Sequence, residues 1–260
     1  ANPELRLVPV SKRPSAVGFF FSRLTFAHVM LFPFCWGTGL ALEPLGLRKR
    51  MLLGLAVVLM GAGILTTWTR AAPLAALAAL VLLVLTRLGR GSGRRLLALV
   101  VVLLIAGAVA FLAPTLVKRL EKSFSGRADW TRLAIWHTAL DMAARHPACG
   151  VGYGNFQRDA VAPIQKRVAN VGAKRFPGVI AWAHNNLLTF LAEMGMLGAL
   201  LLCLLLVAYF RSAGRCLGRV DKDDHFSRGF VRGSLAAVGA FLAVGMFHDT
   251  FFDGEVAFCL

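Results

Sequence analysis

The sequence predicts an all-α, polytopic integral membrane helical bundle with one long loop outside the bilayer, and three observations carry that prediction. The 260 residues are 57% hydrophobic and only 16% charged, with a mean hydropathy of +0.67. A soluble domain holds roughly 45–50% apolar and about 25% charged residues. Lys and Arg number 29 against 13 Asp and Glu, a formal net charge of +16. Strong apolarity and strong basicity coexist where cationic residues crowd the loops between membrane spans. Finally, six apolar runs, at 24–42, 51–68, 71–86, 96–117, 186–210 and 229–247, reach or approach the roughly 20 residues that cross a bilayer. A disordered chain, a collagen-like chain and an ordinary cytosolic enzyme are excluded.

The first run carries His28 and Pro33, and the third is short. Arg48, Lys49 and Arg50 follow the first run, Arg87, Arg90, Arg94 and Arg95 follow the third, and Arg211, Arg215, Arg219, Lys222 and Arg228 follow the fifth. With six spans these three basic loops share one side, which the positive-inside rule makes cytoplasmic. The link at Arg70, the stretch 118–185 and the tail from His248 then meet on the opposite face. The predicted organisation is therefore 1–117 as membrane helices joined through Arg70, 118–185 as a long loop on the side opposite the cytoplasm, and 186–260 as further membrane helices. Loops of that length are usually functional. This one should contain amphipathic helix: Asp129 is placed to cap a run in which Trp130, Leu133, Trp136 and Leu140 recur at helical spacing, ended by His146 and Pro147.

The pI near 11 does not indicate a nucleic-acid partner, because the bases are scattered between apolar runs with no aromatic-interleaved patch. The bilayer and an anionic substrate are the expected partners. Cys35, Cys149, Cys203, Cys216 and Cys259 include no CxxC pair, so neither a disulfide framework nor a zinc site follows. No His, Asp or Glu cluster has metal-ligand spacing, and neither metal nor cofactor is expected. The chain begins without Met and stops as an apolar segment resumes at Phe258. It reads as a piece of something longer, so missing targeting signals carry no weight.

Several residues are candidates for chemistry. Arg70 sits between two apolar runs, beside Thr69 and ahead of Pro73. It is either an arginine snorkelling to headgroups or, with the free N–H groups of the next helix, an anion site. Arg127 and Arg132 flank a helix start, where they fit either a phosphate grip or an interfacial Trp/Arg belt. Cys149 to Asn155 is glycine-rich but does not match GxGxxG, and a turn that brings backbone close to another element explains it better. His184 precedes Asn185 and the fifth apolar run. There the helix dipole disfavours an imidazolium and favours a neutral base, the bland alternative being an incidental histidine beside a capping Asn185. Glu193 lies two turns inside that run and needs a partner. His28 and the His248-Asp249 pair read as structural.

Thr66 to Arg70, Gly126 to Trp136, Pro147 to Phe156, His184-Asn185-Asn186-Leu187 and Glu193-x-Gly195-x-x-Gly198, together with the stretch from Arg13 to Phe20, give a pattern. It resembles the C-terminal half of the O-antigen ligase and O-antigen polymerase superfamily of bacterial membrane glycosyltransferases, over about residues 13–255. The resemblance implies a metal-independent inverting transfer at the periplasmic face of the inner membrane. A glycan would leave undecaprenyl pyrophosphate for a sugar hydroxyl of lipid A-core, or in a polymerase for another lipid-linked chain. It implies His184 as the catalytic base, and Arg70 and Arg132, with Arg127 as a neighbour, as donor-binding residues. Some relatives carry a second histidine just before the catalytic one, where this chain has Ala181-Trp182-Ala183. The rival from another class is a flippase or transporter of an anionic lipid, which discontinuous helices in paired halves would signal.

Overall fold

The computed structural model describes residues 22–69, 71–87, 127–170 and 182–250. Arg70, the run at 96–117 and the stretch from Arg13 to Phe20 lie outside the described residues. Those described form seven helices and no strand: α1 (Arg23–Ala41), α2 (Leu47–Thr66), α3 (Ala71–Arg87), α4 (Arg127–Arg145), α5 (Phe156–Asn170), α6 (Asn186–Arg219) and α7 (His225–Gly245). Four of them, α1, α2, α6 and α7, are long and apolar enough to cross a membrane, and α3 is a shorter apolar helix. The described part of the chain is all-helical, and the protein is a multi-pass membrane protein.

The helices extend beyond the apolar runs that announce them. α2 begins at Leu47, so Arg48, Lys49 and Arg50 form its first turn, and α6 continues to Arg219. Hydropathy marks where hydrocarbon can surround a helix, whereas Lys and Arg are good helix formers and do not end one. α4 starts at Arg127, so Asp129 lies within its first turn and is not the residue preceding it. It ends where expected, before His146. α5 is a polar amphipathic helix that hydropathy does not reveal, with Pro163 inside it.

The first core joins α1, α2, α3 and α7. α1 and α7 cross closely because each is pared to backbone at the contact. A Cβ on Gly39 would overlap the backbone of Gly229 and Gly233, and one on Gly233 the backbone of Cys35 and Trp36. Gly229 and Gly233 are a small-xxx-small pair, the sequence signal for such an approach between membrane helices. Trp36 closes the contact, stacking on Phe230 and donating its indole N–H to Ser234 Oγ at 3.0 Å. Where α1 ends, buried Glu43 pairs with Arg232 of α7, and His225 Nδ1 lies 3.8 Å from the same carboxylate. The outer face of α2 stays exposed at Met51, Leu52, Leu55, Val58 and Leu59, which suits hydrocarbon.

A second core forms where α4, α5 and the start of α6 meet. Ile135, Ala139 and Met142 pack on Phe156, Ala160 and Ile164, with Ala183 and Ala192 completing it. Between α4 and α5 the glycine-rich segment docks on α6, which is interrupted at Gly195 (φ 66°, ψ −165°). Backbone bonds run from Val151 N to Ala192 O (2.9 Å), Gly152 N to Glu193 O (2.9 Å), Met196 N to Pro147 O (2.7 Å) and Leu197 N to Ala148 O (3.2 Å). The groups freed by the helix break are thus met by protein, as a buried interruption requires. Glu193 finds its partner here: Oε1 accepts the N–H of Phe156, at the start of α5, at 3.1 Å. Close backbone approach, expected of this glycine segment, is what it provides.

Gly150 tests this docking. Its φ is +65° and an added Cβ would overlap the backbone of Ala192 and Glu193. Gly150→Ala should destabilise the protein by roughly 2–4 kcal/mol, since backbone strain and overpacking add. Gly154→Ala, at φ +77° with open space around it, should cost about 1 kcal/mol. Thermal unfolding of the two variants checks the ranking; equal melting temperatures would contradict it.

Candidate active site

His184 stands at the junction of the two cores, immediately before α6. Its conformation is left-handed, φ +53°, which is uncommon for a residue with a side chain and costs on the order of 1–2 kcal/mol. The residues on both sides hold it there. The Ala183 N–H donates to Thr189 Oγ1 (3.1 Å), and the Ala183 carbonyl accepts the Trp136 indole N–H (3.1 Å). On the other side the Asn185 N–H donates to Asp249 Oδ1 (3.2 Å). The Asn185 side chain caps α6 by accepting from Leu188 N (3.1 Å) and donates to the Met246 carbonyl (3.0 Å). Asn186 adds a bond to Thr250 (2.7 Å), and its amide lies against Gly245, where a Cβ would collide with it.

The imidazole is 49% exposed while the Asp249 side chain is only 4% exposed. Asp249 Oδ1 is occupied by the Asn185 N–H and by the Thr189 hydroxyl at 2.7 Å. Oδ2 makes no aligned hydrogen bond and lies 3.3 Å from His184 Nδ1. A carboxylate at Nδ1 orients the ring, favours the tautomer with its proton on Nδ1, and stabilises the imidazolium formed when Nε2 accepts a proton.

His248, one residue before Asp249, ties a further group into the site. Burial holds its imidazole well below the usual range, at about 4, the positive charge of Arg132 presses it the same way, and Asp249 opposes them. Arg132 of α4, exposed to solvent, is therefore within electrostatic reach of the same small region as His184. Trp136, one turn further along α4, makes the bond to Ala183 that fixes this placement. His28 backs the cluster from α1. It is 4% exposed, and its ring centre is 5.2 Å from that of His248.

Of the residues singled out in the sequence, His184 and Arg132 are brought to one end of the bundle. Arg127 begins α4 and its side chain lies outside the described residues, as does Arg70 altogether. Five positions separate Arg127 from Arg132, about 140° around a helix, so they do not share a face as residues one turn apart would. Asp249 is the site residue whose role the sequence did not disclose: 65 positions from His184, it is paired with it only by the packing of α6 against α7.

Fold and site together define a multi-pass membrane protein that brings a half-exposed histidine, backed by a buried carboxylate, and an exposed arginine to one end of its helices. The family described as O-antigen ligase matches residues 55–203, just over half of the chain and a span that includes Arg70, Arg127, Arg132 and His184, and the protein belongs to that family. A comparison with curated proteins gave no match. Membership identifies a glycosyltransferase-like membrane enzyme of the O-antigen ligase and polymerase superfamily, whose substrates are lipid-linked glycans.

Proposed function

We infer that this protein is a ligase that transfers a glycan from undecaprenyl pyrophosphate to a sugar hydroxyl of lipid A-core, at the periplasmic face of the inner membrane. The observation that carries the reading is His184 itself, half exposed and set in a strained conformation, with a buried carboxylate behind Nδ1 and with Arg132 one turn before Trp136, whose indole bonds the residue preceding His184. In the proposed step the acceptor oxygen attacks the anomeric carbon while the bond to the pyrophosphate oxygen breaks, inverting the configuration. The hydroxyl proton passes to His184 Nε2. The leaving undecaprenyl pyrophosphate takes the electron pair, and its growing charge is met by Arg132 together with Arg70, with Arg127 as a neighbouring cation, without a metal. Residues 118–185 form the periplasmic part of the site in this reading. The end of the bundle that holds Glu43 and Arg232 faces the cytoplasm, in keeping with the basic 43–50 and 211–228 segments.

The test is transfer in vitro with lipid-linked donor, lipid A-core and a chelator. The expected product is glycosylated lipid A-core, and Arg132→Ala should lower kcat/KM by about 10–100-fold through the donor, since charged hydrogen bonds contribute about 1.5–3 kcal/mol. Chain growth on the donor without lipid A-core would instead identify a polymerase. Lipid movement with no glycan transfer would identify a transporter. α6 is the one helix interrupted among the described residues, and its break is filled by backbone, so the paired discontinuous helices of a transporter are not seen there.

A further inference from the structure

We propose that Thr189 is a positioning residue for His184, acting on both flanks of the histidine through a single hydroxyl. Thr189 lies one turn into α6 and is fully buried. Its Oγ1 is 3.1 Å from the Ala183 N–H and 2.7 Å from Asp249 Oδ1. An amide N–H can only donate and a carboxylate can only accept, so the single hydroxyl proton must point to Asp249 while a lone pair receives Ala183. The same Oδ1 accepts the Asn185 N–H at 3.2 Å. The backbone on both sides of His184 is therefore fastened to one hydroxyl–carboxylate unit, and the other carboxylate oxygen is left to face His184 Nδ1 at 3.3 Å.

This arrangement accounts for two otherwise separate observations. A left-handed histidine persists only where its surroundings over-determine it, and here the residues before and after it are held by the same unit. Asp249 keeps one oxygen directed at the ring because the other is fully engaged. Without the hydroxyl, the Ala183 N–H is released and Oδ1 loses a donor. The imidazole is then free to leave its left-handed geometry, and Asp249 to rotate away from Nδ1. No contact with the lipid-linked donor is involved, so the loss should fall on turnover and spare donor binding.

The proposal rests on His184 being the base, and the experiment separates the two. Transfer kinetics are measured on the membrane-embedded protein for Thr189→Val, Thr189→Ser and His184→Ala. Thr189→Val keeps the shape and removes both bonds; it should lower kcat by about 10–100-fold, the scale of a misplaced catalytic group, with KM for the donor within about twofold. Thr189→Ser keeps the hydroxyl and should recover turnover to within about threefold of the native protein. A role in packing alone would not separate serine from valine in this way, nor kcat from KM. Should the valine variant not yield folded protein, Thr189→Cys, of similar size but a weak donor, is read by the same kinetics. His184→Ala inactive with Thr189→Val at native kcat would overturn the positioning role alone. His184→Ala at native turnover would overturn the functional reading beneath it.

Discussion

His184→Ala is expected to reduce glycan transfer by about 10²–10⁴-fold, the usual contribution of a positioned general base. The structure allows this to be distinguished from damage to the fold. The side chain is half exposed and packs into neither core, so its removal opens no cavity. His184 also occupies a left-handed conformation that Asn tolerates better than most residues. His184→Asn should therefore melt closer to the native temperature than His184→Ala while losing transfer to the same degree. Activity assays paired with thermal unfolding of both variants check this. A variant that melts normally and still transfers glycan would remove His184 from the chemistry.

The largest effect on stability is expected at the opposite end of the bundle. Glu43 is 1% exposed and pairs with Arg232 across the junction of α1 and α7. Arg232→Leu leaves a buried carboxylate without its guanidinium, and breaking a buried pair from one side typically costs about 3–5 kcal/mol. Replacing both partners, Glu43→Leu with Arg232→Leu, should restore most of the stability, because an apolar pair of similar volume is often neutral or better than a buried ion pair. Melting temperatures of the two single variants and the double variant, measured in the same detergent, decide the matter. Additive losses would show that the two residues do not act as a pair.

These two sites show how differently the parts of the protein can be read from its sequence. The apolar runs located α1, α2, α6 and α7 to within a few residues at their apolar ends, because a bilayer demands a length of apolar chain and that demand is local. His184 and Arg132 were identifiable by residue type, placement and resemblance to the family. α5 is hard to see in the sequence because its apolar stripe, Phe156, Ala160 and Ile164, is narrow and runs through a polar segment with an internal proline, and the break at Gly195 because nothing near it in sequence names the segment that fills it. The glycine pair at 229 and 233 did carry a signal for close helix approach, unused among so many apolar residues.

By itself, then, the sequence determined the class of the protein, the order of its membrane helices and the types of side chain available for chemistry. Those properties depend on hydrophobic length, helical periodicity and charge, each legible within a window of about twenty residues. Only the tertiary structure decided that Asp249 and Thr189 hold His184, that Arg132 shares its region, and that Glu43 meets Arg232. Each of those pairings joins different elements or the two sides of a loop. Which side chains meet there depends on how helices cross and how close their backbones come, and that is set by packing over the whole bundle.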